Sequence, residues 1–224
     1  MMKKLMTAAC LLLLAAGAGA QNEVGTWSVK PYAGVGPATM ANMPNIPLTD
    51  DIALKKDFLP GFVAGAEAEY QLTETFSLSA GLDFAMQGGK WKDFERMNVQ
   101  VKNTKLQLGY IQLPLMANWY VGEGLSLKAG VQFGMMVHAH LKSYISGTVD
   151  GKPYHEDVDE RVMDDFHRLD ISIPFGLSYE FDNHLVLEAR YKLGLTLVDK
   201  SDEDSRGSMR NRVFTISFGY KFQL

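Results

Sequence analysis

The 224-residue chain contains 22 basic and 26 acidic residues, a formal net charge of −4, and a single cysteine. This acidic balance argues against nucleic acid as a partner, because nucleic-acid-binding domains carry clustered positive charge. One cysteine excludes an intrachain disulfide framework, and since no Pro/Ser-rich linker divides the chain we expect one folded domain.

The N-terminus has the layout of a secretory signal peptide. Two lysines precede an apolar run at 5–14, and small residues follow at 15–20. The small residues predict cleavage before Gln21, so that residues 1–20 are removed and residues 21–224 form the exported domain. The removed segment holds the cysteine, two lysines and no acidic residue, which leaves a mature chain of 20 basic and 26 acidic residues.

From Trp27 onward, apolar and polar residues alternate with period two, which indicates strands with two chemically different faces. Between Phe76 and Met86 every even-numbered residue is apolar, whereas Ser77 and Asp83 lie among the odd-numbered ones. The mature chain has no apolar segment of 18 residues, so the sequence predicts no helical membrane span.

The alternation predicts eight strands whose connections are long and short in turn. Connections of about 20, 15, 26 and 11 residues alternate with three tight turns, as in outer-membrane barrels. The sequence therefore predicts an all-β fold, an eight-stranded antiparallel up-and-down transmembrane β-barrel with short periplasmic turns and longer extracellular loops. The strands are predicted near residues 26–36, 58–72, 76–88, 104–120, 125–141, 168–181, 185–198 and 210–222.

Aromatic residues cluster at the strand ends beside the tight turns. A soluble periplasmic ligand-binding barrel would show the same alternation inside out, so periodicity alone leaves that alternative open. Rings with an apolar body and a polar edge favour the membrane–water boundary, and one ring of them at one end favours lipid. The predicted aromatic girdle consists of Trp27, Tyr70, Phe76, Trp119, Tyr179, Phe181, Tyr220 and Phe222.

The polar face of the strands carries eleven charged residues. Facing lipid, a charge costs a few kcal/mol near mid-depth, so we expect these residues to face the narrow bore. Five cations and six anions there can pair almost one for one and fill the interior, although an ion path remains an alternative. The predicted inward-facing charge network is Lys30, Glu67, Glu69, Asp83, Lys128, Asp170, Glu180, Glu188, Arg190, Lys192 and Lys221.

Strands four and five carry two further predictions. The apolar phase of strand four changes between Leu108 and Ile111, as a bulge at Gly109-Tyr110 would require. His138 and His140 are predicted to share the inward face of strand five near its outer end. Interior hydrogen bonding and metal ligation are both open to a histidine pair there.

The long loops contain the remaining candidates for specific chemistry. The dipeptide at 150–151 is an Asp-Gly hairpin signal, which predicts that strands five and six project outside the membrane as a β-ribbon. Acidic runs follow in the third and fourth loops, but their spacing matches neither an EF-hand nor a zinc motif, so no metal or cofactor is predicted. The residues of these runs are His155, Glu156, Asp157, Asp159, Glu160, Asp164, Asp165, His167, Asp199, Asp202, Glu203 and Asp204.

An enzymatic barrel remains an alternative at the barrel mouth. Asp164, Asp165 and His167 are the candidate acid and base groups, but no nucleophile motif accompanies them. We therefore predict that the protein is not an enzyme.

Several segments resemble a known family. Tyr110-Ile-Gln-Leu-Pro-Leu-Met, the segment 169–181, Ala189-Arg190-Tyr191 and the closing Phe218-Gly-Tyr-Lys-Phe resemble the PorT-like outer-membrane β-barrel proteins of Bacteroidetes, which have the size of OmpA- and OmpX-type barrels. The resemblance spans essentially the whole mature chain and implies barrel strands, with no functional residue to carry over. It implies localisation in the outer membrane and association with protein secretion.

We therefore predict a non-enzymatic outer-membrane barrel with an envelope structural or surface-interaction role, possibly accessory to secretion. Its expected partners are outer-membrane lipid, lipopolysaccharide and envelope or secretion-machinery proteins. A narrow porin-like channel is the alternative.

Overall fold

The computed structural model describes residues 23–49, 52–96, 99–149, 152–200 and 209–224. The predicted signal peptide and its cleavage site lie outside these residues. Eight long strands form the barrel: β1 (Trp27–Ala41), β2 (Leu59–Gln71), β3 (Phe76–Trp91), β4 (Val99–Tyr120), β5 (Leu125–Val149), β6 (Leu169–Glu180), β7 (Leu185–Gly194) and β8 (Arg210–Tyr220).

The eight strands close into one antiparallel ring. Each strand pairs with its neighbours in sequence, and β8 pairs with β1 to close the circle. Closure leaves no strand edge around the barrel wall, so every strand has a ladder partner on both sides. The predicted eight-stranded up-and-down fold is confirmed. Among the described residues, none belongs to a helix long and apolar enough to cross a membrane.

Three tight turns close one end, which we call the turn end, and the long connections lie at the loop end. In the first turn Thr73 Oγ1 accepts hydrogen bonds from the backbone nitrogens of Thr75 (3.3 Å) and Phe76 (3.0 Å). Gly124 ends the second turn at φ +71°, and an added Cβ there would lie 2.2 Å from the carbonyl oxygen of Glu180. His184 has a positive φ of 63° in the third turn, the conformation that a tight reversal requires.

Strands at the loop end extend farther than the sequence predicted. β4 has 22 residues and β5 has 25, whereas a strand crosses a bilayer in about 9–11 residues. The strand Lys152–Arg161 pairs with β5, and Phe94–Arg96 pairs with β4. Together with the outer parts of β4 and β5 these two strands form a four-stranded sheet beyond the barrel, which we call the external sheet. The predicted ribbon thus exists, but it pairs β5 with a separate strand that precedes β6. The dipeptide at its tip lies outside the described residues.

The ladder shifts register at Gly109-Tyr110, where the bulge was predicted, but the extra residue belongs to the neighbouring strand. Gly109 pairs with His138 and Tyr110 with Met136, so the extra residue is Val137 of β5. β4 keeps one phase across this point, because Leu106 and Leu108 are buried on the same side as Tyr110. The apparent change of phase reflects a change in the chemistry of the interior from polar to apolar.

The shift at Val137 also moves the two histidines of β5. Ala139 is fully buried in the interior, whereas the rings of His138 and His140 stack outside at a centroid distance of 4.3 Å. The prediction that these histidines face inward was therefore wrong. One unpaired residue exchanges the two faces of a strand, and this exchange places both imidazoles on the outer face.

Candidate functional site

The barrel wall is apolar outside and polar inside through most of its height. Leu127 exposes 43 % of its surface, while its neighbour Lys128 exposes 4 %. Exposed leucine, isoleucine, valine and phenylalanine side chains cover the outer face of all eight strands. A soluble barrel needs the reverse arrangement, so the wall is built to contact lipid.

The eight residues of the predicted aromatic girdle lie at the turn end and form four ring pairs. Trp27 packs on Tyr70 at a centroid distance of 4.9 Å, and Phe76 stacks on Trp119 at 6.1 Å. The other two pairs are Tyr179 with Phe181 at 4.9 Å and Tyr220 with Phe222 at 4.7 Å. Seven of these rings are well exposed, and Tyr70 is half-buried.

All eleven residues of the predicted charge network are buried in the bore. They divide into three groups along the barrel axis. Nearest the turn end, Lys221 Nζ lies 3.0 Å from Glu180 and 3.3 Å from Glu69. Lys221 also donates to the hydroxyl of Tyr120 (2.9 Å), which in turn donates to Glu69. We call this group the turn-end cluster.

The second group, the central cluster, contains three cations and two anions. Glu67 accepts from Lys128 (2.6 Å), Lys30 (3.3 Å) and Arg190 (3.2 Å). Glu188 contacts the same three cations at 3.1, 2.9 and 2.5 Å. Each carboxylate thus lies among three positive charges, an arrangement that compensates buried ions only while both carboxylates are present.

The backbone makes room for these long side chains. Gly176 of β6 stands in register between Lys128 of β5 and Arg190 of β7. A Cβ at Gly176 would lie 2.1 Å from the carbonyl oxygen of Ala189. Glycine therefore lets the neighbouring strands approach and leaves the bore to the charged groups.

The third group, the upper polar layer, relies on neutral partners. Asp83 accepts from the hydroxyl of Tyr32 (2.7 Å), Lys192 donates to Gln87, and Asp170 accepts from Asn211 (3.0 Å). The predicted one-for-one pairing is therefore wrong for Asp83, Asp170 and Lys192, none of which lies in an ion pair within 4.0 Å among the described residues. A cavity of about 30 Å³ lies beside Asp83 and Lys192, space for about two water molecules.

Above the upper polar layer a hydrophobic core fills the bore, a feature that the alternation of residues in the sequence does not indicate. We call it the apolar plug. Trp91 of β3 is buried in it and donates from Nε1 to the carbonyl oxygen of Pro44 (2.8 Å), which ties the first loop down over the mouth. Loops and strand ends together supply its residues: Met40, Met43, Leu54, Trp91, Val101, Leu106, Leu108, Tyr110, Met136, Ala139, Met163, Phe166 and Val198.

The candidate metal and catalytic residues that lie in described loops do not form a common site. Asp164 and Asp165 lie exposed in a 3-10 turn, and His167 is exposed beside it. Within the described ranges, no group of three or more His, Cys, Asp or Glu side chains is placed to hold a metal ion. Asp202, Glu203 and Asp204 lie outside those ranges.

One polar group joins the outer face of β5 to the acidic strand beside it. Asp159 lies 2.9 Å from His140 Nδ1 and 2.9 Å from Lys142 Nζ. Hydrogen bonds from His140 and Lys142 lower the pKa of the Asp159 carboxyl below its ordinary value. Asp159 therefore offsets positive charge on β5 at the edge of the external sheet.

Comparison with models of protein families gives a match over most of the chain. The family model described as outer membrane protein beta-barrel domain matches residues 19–200. No curated protein matches the chain.

Solved structures with a similar fold are distant in sequence. Ail, the attachment invasion locus protein of Yersinia pestis, solved with the heparin analogue sucrose octasulfate, is 15 % identical; the alignment covers 89 % of this chain and 100 % of Ail at a TM-score of 0.43. OprG from Pseudomonas aeruginosa is 12 % identical over 90 % of this chain and 97 % of OprG, with a TM-score of 0.42. Neisserial surface protein A is 13 % identical over 88 % of this chain and 97 % of its own, with a TM-score of 0.43. Likeness at this level assigns no function.

Proposed function

Because the chain belongs to the family of outer membrane protein beta-barrel domains, we propose that it is a non-enzymatic barrel that serves the envelope as a structural or surface-interaction protein. The filled bore is the observation that carries this proposal. Three layers of buried polar residues and the apolar plug occupy the interior from the turn end to the loop end. An interior of this kind stabilises a barrel and offers solutes no continuous aqueous path.

The surface-interaction part of the proposal rests on the external sheet. β5 runs for 25 residues, more than twice the length that crosses a membrane. Every residue of Lys152–Arg161 except Val158 is exposed, and the outer edge of this strand has no ladder partner among the described residues. A long exposed sheet is costly for a protein that only needs to fold in lipid, so we propose that it contacts other envelope components.

The finer parts of the proposal follow from the sequence. We propose that residues 1–20 are a cleaved signal peptide, that the mature protein begins at Gln21, and that the chain is a PorT-like protein of Bacteroidetes with an accessory role in secretion. Its proposed partners are outer-membrane lipid, lipopolysaccharide and secretion-machinery proteins. Intact mass of the protein extracted from the outer membrane tests the cleavage site, since retention of residues 1–20 would contradict it.

The porin-like channel is the competing function, and conductance separates the two. We expect planar-bilayer recordings of the purified, heat-modifiable barrel to show no stable open state. Gly134 is the position for a substitution that blocks the bore. An added Cβ there would lie 3.4 Å from side-chain atoms of Asp170 and Tyr110, which is an ordinary contact distance. Long-lived conductance that Gly134→Leu abolishes would overturn the proposal and establish the channel.

The partner side of the proposal is tested by site-specific crosslinking in the native envelope. A photoreactive residue at Glu156, exposed on the external sheet, is expected to capture envelope components, while one at Glu74, in a tight turn, serves as the matched periplasmic control. Equal products from both positions, or none from Glu156, would contradict a role for the external sheet.

A further inference from the structure

Three lysines on neighbouring strands form one row on the outer face of the molecule. Lys90 of β3 pairs in register with Lys105 of β4, and Lys105 pairs with Lys142 of β5. Side chains directly opposite one another on adjacent strands have Cβ atoms about 5 Å apart. All three point outward, because one chain neighbour of each lysine packs in the apolar plug or against it: Trp91, Leu106 and Leu141. We call this set the lysine row.

Within the described ranges, the row has one ion-pair partner, which is at its Lys142 end. Like charges directly opposite one another on adjacent strands destabilise a sheet. Asp57 stands in register with Lys90 at one end, and Asp159 contacts Lys142 at 2.9 Å at the other. Among the described residues, no carboxylate lies within 4.0 Å of the Nζ of Lys90 or Lys105. The middle of the row therefore presents positive charge that an external anion can neutralise.

The position of the row on the barrel identifies that anion. Phe84, Ile111 and Met135 form the last apolar row shared by β3, β4 and β5, and all three are exposed to lipid. The lysines lie six or seven residues farther out, which is about 20 Å along the strands and about 15 Å along the membrane normal at the usual strand tilt. Because a lysine side chain bends back toward an interface, its ammonium group can reach the head-group layer.

Acidic residues flank the row on its β5 side, where Asp159 stands in register with Lys142. The strand Lys152–Arg161 carries Glu156, Asp157, Asp159 and Glu160, all exposed. A groove of about 510 Å³ runs between the two regions, with Lys105 and Lys142 on one wall and Asp157 and Asp159 on the other. Between the apolar row and the lysine row, β3, β4 and β5 carry no other lysine or arginine. The lysines are therefore the Lys or Arg residues nearest the lipid on these strands, so the anion they suit belongs to the membrane.

We propose that the lysine row binds the phosphate groups of a phosphorylated glycolipid in the outer leaflet. The ammonium groups of Lys90, Lys105 and Lys142 contact phosphate oxygens by charge-assisted hydrogen bonds, and the outer wall below them contacts the acyl chains. The inference deepens the proposed function, in which lipopolysaccharide is a partner, and rests on that function for the membrane placement of the barrel. A stable open state in the conductance test would contradict the filled bore and leave the lipid contact of the outer wall unchanged, so the two failures are distinguishable.

The test measures retention of lipid on the folded barrel. The full mature chain is folded in detergent and incubated with bisphosphorylated lipid A, with lipid A from which both phosphates have been removed, or with inorganic phosphate, and bound lipid is counted by native mass spectrometry. We expect wild-type protein to bind bisphosphorylated lipid A at least tenfold more tightly than the dephosphorylated form. K90Q/K105Q/K142Q should lose at least tenfold, while K152Q/K200Q/R210Q, which removes three exposed basic residues of other segments, should stay within twofold.

A variant that should bind lipid A more tightly excludes misfolding as the explanation for weaker binding by the triple variant. Asp159→Asn removes the carboxylate that competes for Lys142, so it should bind bisphosphorylated lipid A more tightly than wild type, by about threefold. Heat-modifiable migration confirms that each variant is folded. Equal binding of the two forms of lipid A, an equal loss in the control triple variant, or weaker binding by Asp159→Asn would overturn the proposal. Competition by millimolar inorganic phosphate as strong as that by lipid A would show that the row binds free phosphate and would overturn the lipid assignment.

Discussion

The bore of this barrel is filled in two different ways. Toward the turn end, the central cluster contains five buried charges joined by six ion-pair contacts of 2.5–3.3 Å. Toward the loop end, the apolar plug contains methionine, leucine and aromatic side chains with no charge at all. The charged part is made by barrel strands alone, whereas the plug also draws on loops.

The difference follows from what surrounds each part. Strands that cross lipid have an apolar outer face, and their inner face can be polar because the narrow bore lets opposite charges meet. Beyond the membrane the outer face meets water, so the inner face must supply the hydrophobic core of an ordinary soluble sheet. One chain thus follows two burial rules, and the boundary between them lies near Tyr110, whose hydroxyl accepts from Asn211 (3.2 Å) while its ring joins the plug.

The largest effect is expected from breaking the central cluster. Glu67→Gln leaves three buried cations with a single carboxylate, so the free energy of unfolding should fall by about 4 kcal/mol. Denaturant titration of the barrel in lipid vesicles measures this change. The matched control Glu160→Gln alters an exposed carboxylate and should stay within about 0.5 kcal/mol of wild type. Equal effects of the two variants would mean that the cluster does not stabilise the barrel.

A cavity in the apolar plug should cost somewhat less. Leu108 is fully buried there, and Leu108→Ala should lower the free energy of unfolding by about 3 kcal/mol in the same titration. Leu108→Met conserves volume and should cost less than about 1.5 kcal/mol. If Leu108→Ala left the free energy of unfolding unchanged although residue 108 still faced the bore, the plug would not be packed as a core.

The outer wall provides a third test, in which depth in the membrane is the variable. Val131 faces lipid in register with Leu115, while Leu127 lies nearer the aromatic girdle, opposite Trp119. Val131→Arg should therefore cost about 2–4 kcal/mol and Leu127→Arg clearly less, because the penalty falls toward the interface. Bilayer-folding titrations of both variants, with Val131→Ala and Leu127→Ala as controls, make the comparison. The reverse order would show that the girdle does not mark the interface.

The smallest effect concerns the external sheet. His140→Ala removes one of the donors that lower the pKa of Asp159, so this pKa should rise toward its ordinary value of about 3.9. In wild type, the stabilisation by the ionised carboxyl is present above the ordinary pKa and disappears as the pH falls through the lowered value. Carboxyl chemical shifts of Asp159 followed by NMR report the change, and the Asp157 carboxyl serves as an internal reference. An unchanged Asp159 titration would refute the contact.

The number of strands, the alternation of long and short connections, the aromatic residues at the turn end and the charged residues of the inner face can all be read from the sequence. These features follow from local rules, because a period of two fixes which residues share a face of a strand. The same period assigns Lys128 to the inner face and Leu127 to the outer face, and the structure has both residues in those positions.

Three features depend on the tertiary structure: the ion-pair partner of each buried charge, the exchange of the inner and outer faces of β5, and the closure of the loop end of the bore. Glu67 and Arg190 are separated by 123 residues, and their contact depends on ring closure and on the register of every strand between them. The extra residue Val137 reverses which side chains of β5 face inward. Nothing in the local sequence marks this valine as a bulge. The predicted change of phase in β4 fails for a related reason. Period two shows that Leu108 and Tyr110 share a face, but the loops that fold over that face determine whether it contacts lipid, water or the apolar plug.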